Sequence, residues 1–261
     1  MRDRILLSVC VCALLVLIAS PTQAQAPNSE AKKEAAAAAQ TKMPQFELET
    51  YQLGFLRKGP NHGTGTKEEA EKIQAGHMAN IEKMATDGKL FAAGPMMDNG
   101  DLRGIFIFRN ISPTEAQALA AADPAIKAGR LKLDLMPWMA APKNIGGRIM
   151  EEYRKNPKVP MTMTKYHFVI LKRGPNWTNV ATPEVQKLQL DHLWNVRRLL
   201  DEGKAVAAGP VGSAGDLAGI FVFATTSLDE AKAWAEADPA VKAGRLVAEI
   251  HPWYVAKEVW P

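Results

Sequence analysis

The sequence predicts an α+β chain made of two tandem ferredoxin-like domains, each ordered β-α-β-β-α-β, packed as one intramolecular pseudo-dimer. Three observations predict it. First, the chain repeats itself. Leu56-Arg57-Lys58-Gly59-Pro60-Asn61 returns as Leu171-Lys172-Arg173-Gly174-Pro175-Asn176, Ala92-Ala93-Gly94-Pro95 as Ala207-Ala208-Gly209-Pro210, and Ala122-Asp123-Pro124 as Ala237-Asp238-Pro239. The offset is 115 residues each time (171 − 56, 207 − 92, 237 − 122), so no insertion separates the copies and a complete domain is duplicated. Second, strand-like and helix-like segments alternate in the split-βαβ order within each copy. Third, a four-stranded sheet with both helices on one face leaves its other face bare, and a second copy in the same chain can cover it.

Taken in order, Arg2 and Arg4 precede a short apolar run, Ile5 to Ile18, and small residues follow to Ala26. That is the pattern of a cleavable export leader over 1–24. Cleavage is placed after Ala24, because Pro27 directly follows the other possible cut, at Ala26. The run is shorter than the roughly 20 residues of a membrane span, so a periplasmic or secreted protein with no membrane attachment is expected; an uncleaved anchor is the alternative. Residues 25–45 include the alanine run Ala35 to Ala39 and offer no apolar stripe to bury, so they read as a linker.

The first domain spans 46–138. A β-rich segment, Phe46 to Arg57, precedes a helix from Lys67 to Asp87 that Thr66 and Glu69 start and Gly88 stops. Strands over 89–93 and 102–109 flank a Gly/Pro/Asp-rich turn. Ser112 and Glu115 open a second helix, and a last strand runs over 130–136. The second domain, 163–255, repeats the layout: strand 163–173, helix 183–202 behind Thr182-Pro183, strands 204–208 and 217–224, a helix opened by Ser227 and Glu230, and strand 245–251. Residues 139–162 are read as the connection and 256–261 as a tail.

The net charge is +4 and no basic run is interleaved with aromatics, so nucleic acid is not an expected partner. Cys10 and Cys12 both lie in the leader, so the mature chain has no thiol chemistry and no disulfide. No metal-ligand spacing, phosphate loop or serine–histidine–acid pattern occurs, and no cofactor is expected.

Of five histidines, only His77 and His192 occupy equivalent positions (192 − 77 = 115). Both fall on the apolar stripe of the first helix of their copy, so each imidazole should face the sheet. Asp123 and Asp238 are read as ending the second helix, since the prolines behind them disfavour helical geometry. A carboxylate at that end gains from a donor. A histidine on the neighbouring helix can supply one; the aspartate would then hold the ring's tautomer and leave the second nitrogen to move a proton. The alternatives are a plain helix stop and a satisfied core histidine. Gly94-Pro95 and Gly209-Pro210 read as strand ends, with ligand approach as the alternative. Arg130 and Arg245, behind Gly129 and Gly244, read as solvated strand starts or as anion binders. Trp138 and Trp253 close the cores. His62 and Trp177, at corresponding loop positions, read as loop decoration, with making the two sites differ as the alternative.

These residues carry a resemblance. The run from His77 through Asp87-Gly88-Lys89-Leu90, Ala93-Gly94-Pro95 and Ala122-Asp123-Pro124 resembles the YciI-like (YCII-related) domain, and its repeat from His192 to Asp238-Pro239 resembles a second copy. The resemblance implies a dimeric α/β-barrel arrangement and a histidine–aspartate active pair, carried onto His77 with Asp123 and His192 with Asp238. Some relatives act on chlorinated aromatics as lactone isomerases or dehydrochlorinases, which would make a small carbonyl or lactone compound the substrate. A non-catalytic module binding a small ligand or another protein is the alternative, and haem, bound by other barrel-type relatives, is a third.

Overall fold

A computed structural model of the protein describes residues 42–212 and 215–261. The leader expected over 1–24 and most of the alanine-rich linker lie outside the described residues. The first copy comprises β1 (Glu49–Lys58), α1 (Lys67–Thr86), β2 (Leu90–Pro95), β3 (Leu102–Phe108), α2 (Pro113–Ala121), the one-turn α3 (Pro124–Lys127) and β4 (Leu131–Ala140). α4 (Gly147–Lys155) joins it to the second copy: β5 (Met163–Arg173), α5 (Pro183–Asp201), β6 (Ala205–Pro210), β7 (Leu217–Phe223), α6 (Leu228–Glu236), the one-turn α7 (Pro239–Lys242) and β8 (Leu246–Ala256).

Local chemistry places the helix starts. Thr66 caps α1 in a reciprocal box with Glu69. Thr182 caps α5, with Pro183 at the position where a missing N–H costs nothing. Ser112 and Ser227 cap α2 and α6 through the backbone N–H of Glu115 and Glu230. Their glutamates do not complete the box: Glu115 pairs with Lys89 and Glu230 accepts from Thr225.

The sheets run β2-β3-β1-β4 and β6-β7-β5-β8, antiparallel throughout. On one face of each, aromatic and aliphatic side chains meet the helices of the same copy, around Phe106 and Phe108 in the first and Phe221 and Phe223 in the second. The opposite faces meet each other. Tyr51, Phe55 and Trp138 from the first sheet and Phe168 and Trp253 from the second are buried in one shared core. Burying each such side chain contributes about 1.5–3 kcal/mol, and none of this face is covered by its own copy.

The sheets also join edge to edge, with bridges Met96–Trp253, Trp138–Val211 and Ala141–Ala208. Trp253 Nε1 donates to the carbonyl of Gly94 (3.0 Å), and Trp138 Nε1 to that of Gly209 (3.2 Å). A Cβ on Gly94 would stand 2.0 Å from the Tyr254 carbonyl oxygen, and one on Gly209 1.8 Å from that of Met139. Gly94 and Gly209 therefore let two strands from different copies approach, a role the strand-end reading did not contain.

One further reading is corrected. β4 and β8 continue through Pro137 and Pro252, because each proline's carbonyl still accepts a bond from the other copy, from Gly212 N (2.8 Å) and Met97 N (2.7 Å). The connection holds α4, whose Ile149 and Met150 are buried in the shared core. The tail packs there too, through Val259 and Trp260. No described helix is long and apolar enough to cross a membrane.

Candidate functional site

His77 and His192 sit mid-way along α1 and α5, on the face turned to the sheet. His77 lies over Phe106 (ring centroids 6.1 Å apart, stacked) and His192 meets Phe221 edge-on at 6.3 Å. His77 Nδ1 is 2.8 Å from Asp123 Oδ2, and His192 Nδ1 is 2.8 Å from Asp238 Oδ2. The sequence reading paired these residues, and the structure brings both pairs into contact.

The placement of the aspartates is corrected. Neither ends a helix at its negative pole. The chain breaks after α2 and restarts, and Asp123 and Asp238 are the N-caps of α3 and α7. Asp123 Oδ1 accepts from Ala125 N (2.8 Å) and Ile126 N (3.4 Å); Asp238 Oδ1 accepts from Ala240 N (2.9 Å) and Val241 N (3.3 Å). The proline that stops one helix occupies the first position of the next, where its fixed φ suits a helix start. The second carboxylate oxygen takes the imidazole and also an asparagine amide: Asn80 Nδ2 at 3.0 Å in the first copy, Asn195 Nδ2 at 2.8 Å in the second.

The sequence reading missed Asn80 and Asn195. The signal was present: they repeat at the same offset of 115 and follow each histidine by three residues, on the same helix face. The second copy adds one more link, since Arg198 Nη2 donates to Asn195 Oδ1 (2.7 Å).

Both aspartates are buried, and burial by itself would raise their carboxyl pKa. Hydrogen bonds from the histidine, the asparagine and the helix N–H outweigh it, so both are held below the usual carboxylate range and are ionised. An ionised carboxylate accepts only, so Nδ1 of each ring carries the hydrogen. Nε2 of each ring has no hydrogen-bond partner among the described residues, and His77 and His192 each line a cavity. Among the described residues no cluster of His, Cys, Asp and Glu is arranged to hold a metal ion.

The cavity beside His77 is about 840 Å³; that beside His192 is about 360 Å³. Every weaker site residue lies on these walls: Gly94, Pro95 and Arg130 on the first, Gly209, Pro210 and Arg245 on the second. Arg245 is no solvated strand start. It is 9% exposed, its guanidinium lies 4.1 Å from the centre of the Trp177 ring, and Nη1 donates to Thr178 O at 3.0 Å. Arg130 donates likewise to Thr64 O (3.0 Å). His62 and Trp177 are wall residues of the first and second cavity rather than loop decoration.

The cavities differ in size for a visible reason. Residues 43–48, from ahead of the first copy, cross to the second and lay Met43, Pro44, Phe46 and Leu48 along its cavity. They are held by Trp194 Nε1 to Lys42 O (3.1 Å) and Arg197 Nη1 to Gln45 O (3.2 Å). The equivalents of Phe46 and Leu48, at the 115 offset, are Met161 and Met163. Met163 lines the first cavity, whereas Met161 lines only the hollow that adjoins it.

The sequence profile of the YCII-related domain matches residues 53–139 and again 167–254. Among curated proteins, none matches the chain. Among solved structures, a variant of chlorite dismutase from Candidatus Nitrospira defluvii superposes with a TM-score of 0.52 at 12% identity, over 86% of this chain and 97% of that one. A second variant of that protein, in complex with cyanide, gives 0.52 at 12% over 83% and 94%. At that identity the likeness is one of fold: two ferredoxin-like halves closed into a barrel in one chain.

Proposed function

The chain belongs to the YCII-related domain family, whose domain it carries twice, and on that premise we propose that it is an exported protein moving a proton on a small carbonyl or lactone compound. One observation carries the reading: a histidine in each cavity wall has one nitrogen bonded to a buried, ionised aspartate and the other uncommitted. The aspartate and asparagine hold the ring's orientation and tautomer. Nε2 is then the base that takes a proton from the carbon beside a carbonyl and returns it to the substrate at another position. Such a shift consumes nothing and needs one base, and isomerisation is the simplest reaction that fits.

The test is turnover on a panel of small lactones and unsaturated ketones by the intact chain and by His77→Ala/His192→Ala. Loss of turnover with an unaltered far-UV circular dichroism spectrum is the expected result; turnover at the original rate in the double variant overturns the reading. Export is tested by fractionation and N-terminal sequencing, with mature protein beginning at Gln25 as the expected result.

A binding module without chemistry is the second reading, and the second cavity favours it: among the described residues its walls are almost wholly apolar, with His192 and Arg245 the only ionisable side chains on them. Thermal stabilisation by a panel compound with no product formed would support that reading. Adding haem to the purified chain is the control for the third: an absorbance spectrum equal to that of haem alone removes it.

A further inference from the structure

Arg245 is a buried charge without a counter-ion. Among the described residues no carboxylate oxygen lies within ion-pair distance of its guanidinium, while Arg57, Arg109, Arg197 and Arg198 each have a carboxylate partner; its counterpart Arg130 also lacks one but is only partly buried. Among the described residues Arg245 Nε, which is buried, has no hydrogen-bond partner. A desolvated cation with unspent donors is costly to keep, and a fold that carries one normally supplies the anion or leaves it to a ligand. Trp177 stacked on one face holds the fork flat. The remaining walls of that cavity are almost wholly apolar, and its 360 Å³ lies in the range of small-molecule sites.

We infer that each cavity takes a small organic monocarboxylate, its carboxylate on Arg245 (Arg130 in the first copy) and its apolar body lying toward the histidine. This rests on the proposal that these cavities are the working sites, and it narrows the substrate of that proposal to anionic compounds. A planar guanidinium offers paired donors at the spacing of carboxylate oxygens, and a single such group suits a monoanion better than a phosphate dianion. The first cavity is the larger and accepts a longer compound than the second; its wall adds Arg103 and Lys67, the latter paired with Glu71.

Calorimetric titration of the intact chain with benzoate and cyclohexanecarboxylate, against benzamide and inorganic phosphate, tests this. Expected is carboxylate binding at least about tenfold tighter than benzamide or phosphate, lost by about tenfold or more in Arg130→Gln/Arg245→Gln and largely restored in Arg130→Lys/Arg245→Lys. Equal affinity for benzoate and benzamide, tighter binding of phosphate, no carboxylate binding at about 10 mM, or undiminished benzoate affinity in the Gln variant each overturns it. If the Gln double variant does not fold, the comparison of benzoate with benzamide on the intact chain decides. His77→Ala/His192→Ala separates the two ideas: it should lose turnover yet hold benzoate within about threefold, so a failure of proton transfer and a failure of anion binding are read independently.

Discussion

Asp123 and Asp238 each join three things that nothing else joins: an imidazole on one helix, an asparagine one turn along it, and the first N–H groups of a one-turn helix. This has a consequence for stability against pH. The folded carboxyls are held below their ordinary value, by hydrogen bonds that outweigh a burial acting the other way. A carboxyl with a depressed folded pKa adds stability that is complete above its unfolded value, about 3.9, and is lost as pH falls through the folded one. Urea midpoints measured from about pH 6 down to pH 3 should therefore drop steeply below about pH 4. Asp123→Asn/Asp238→Asn should start less stable and fall less steeply; parallel curves would show that these two groups are not what titrates. His167 makes the contrast. Burial pushes its pKa down, Nδ1 donates to Thr225 O, and it lines neither histidine cavity. It is the satisfied core histidine, and its lack of a histidine partner at the 115 offset already set it apart.

At the scale of elements, the seams between copies and the crossing segment do the most. Gly94 lies where β2 meets β8 with no room for a Cβ, since the opposing atom is backbone and cannot swing away. Gly94→Ala should destabilise the chain by about 3 kcal/mol or more, the cost of overpacking, and weaken the Trp253 bond beside it; a loss below about 1 kcal/mol in urea denaturation would mean that the seam yields. The segment 43–48 sets the volume of the second cavity. Phe46→Ala/Leu48→Ala should enlarge that cavity toward the size of the first, at a stability cost of about 1–2 kcal/mol that falls mainly on the half-buried Phe46, since Leu48 is exposed. The check is benzoate replaced by bulkier carboxylates: the variant should gain affinity for them at the second site, measured in an Arg130→Gln background. No change in size preference would place the limit in Trp177 instead.

At the scale of the whole molecule, each sheet covers one face with its own helices and the other with its twin. Phe55 meets Phe168 across the interface (6.0 Å between ring centres), and Phe168 meets Trp253 (5.5 Å). Because the core is shared, the copies should unfold together. Urea denaturation followed by tryptophan fluorescence and by circular dichroism should give one coincident transition; two separated transitions would show that a half stands alone. Closure also explains why the strands outrun their prolines. Pro137 and Pro252 lack an N–H, yet their carbonyls are needed by the other copy.

By itself the sequence determined whatever is local or repeated: the element order, the helix caps, the twofold layout and the pairing of each histidine with its aspartate. Capping and periodicity act over a few residues, and a constant offset exposes any position that both copies share. The tertiary structure alone decided burial and neighbourhood. It decided that Arg245 is enclosed rather than solvated, that His62 and Trp177 are cavity walls, and that residues 43–48 narrow one cavity. Each of these depends on atoms distant in the chain meeting in space, through packing that acts on all of them at once. No window of sequence contains that information.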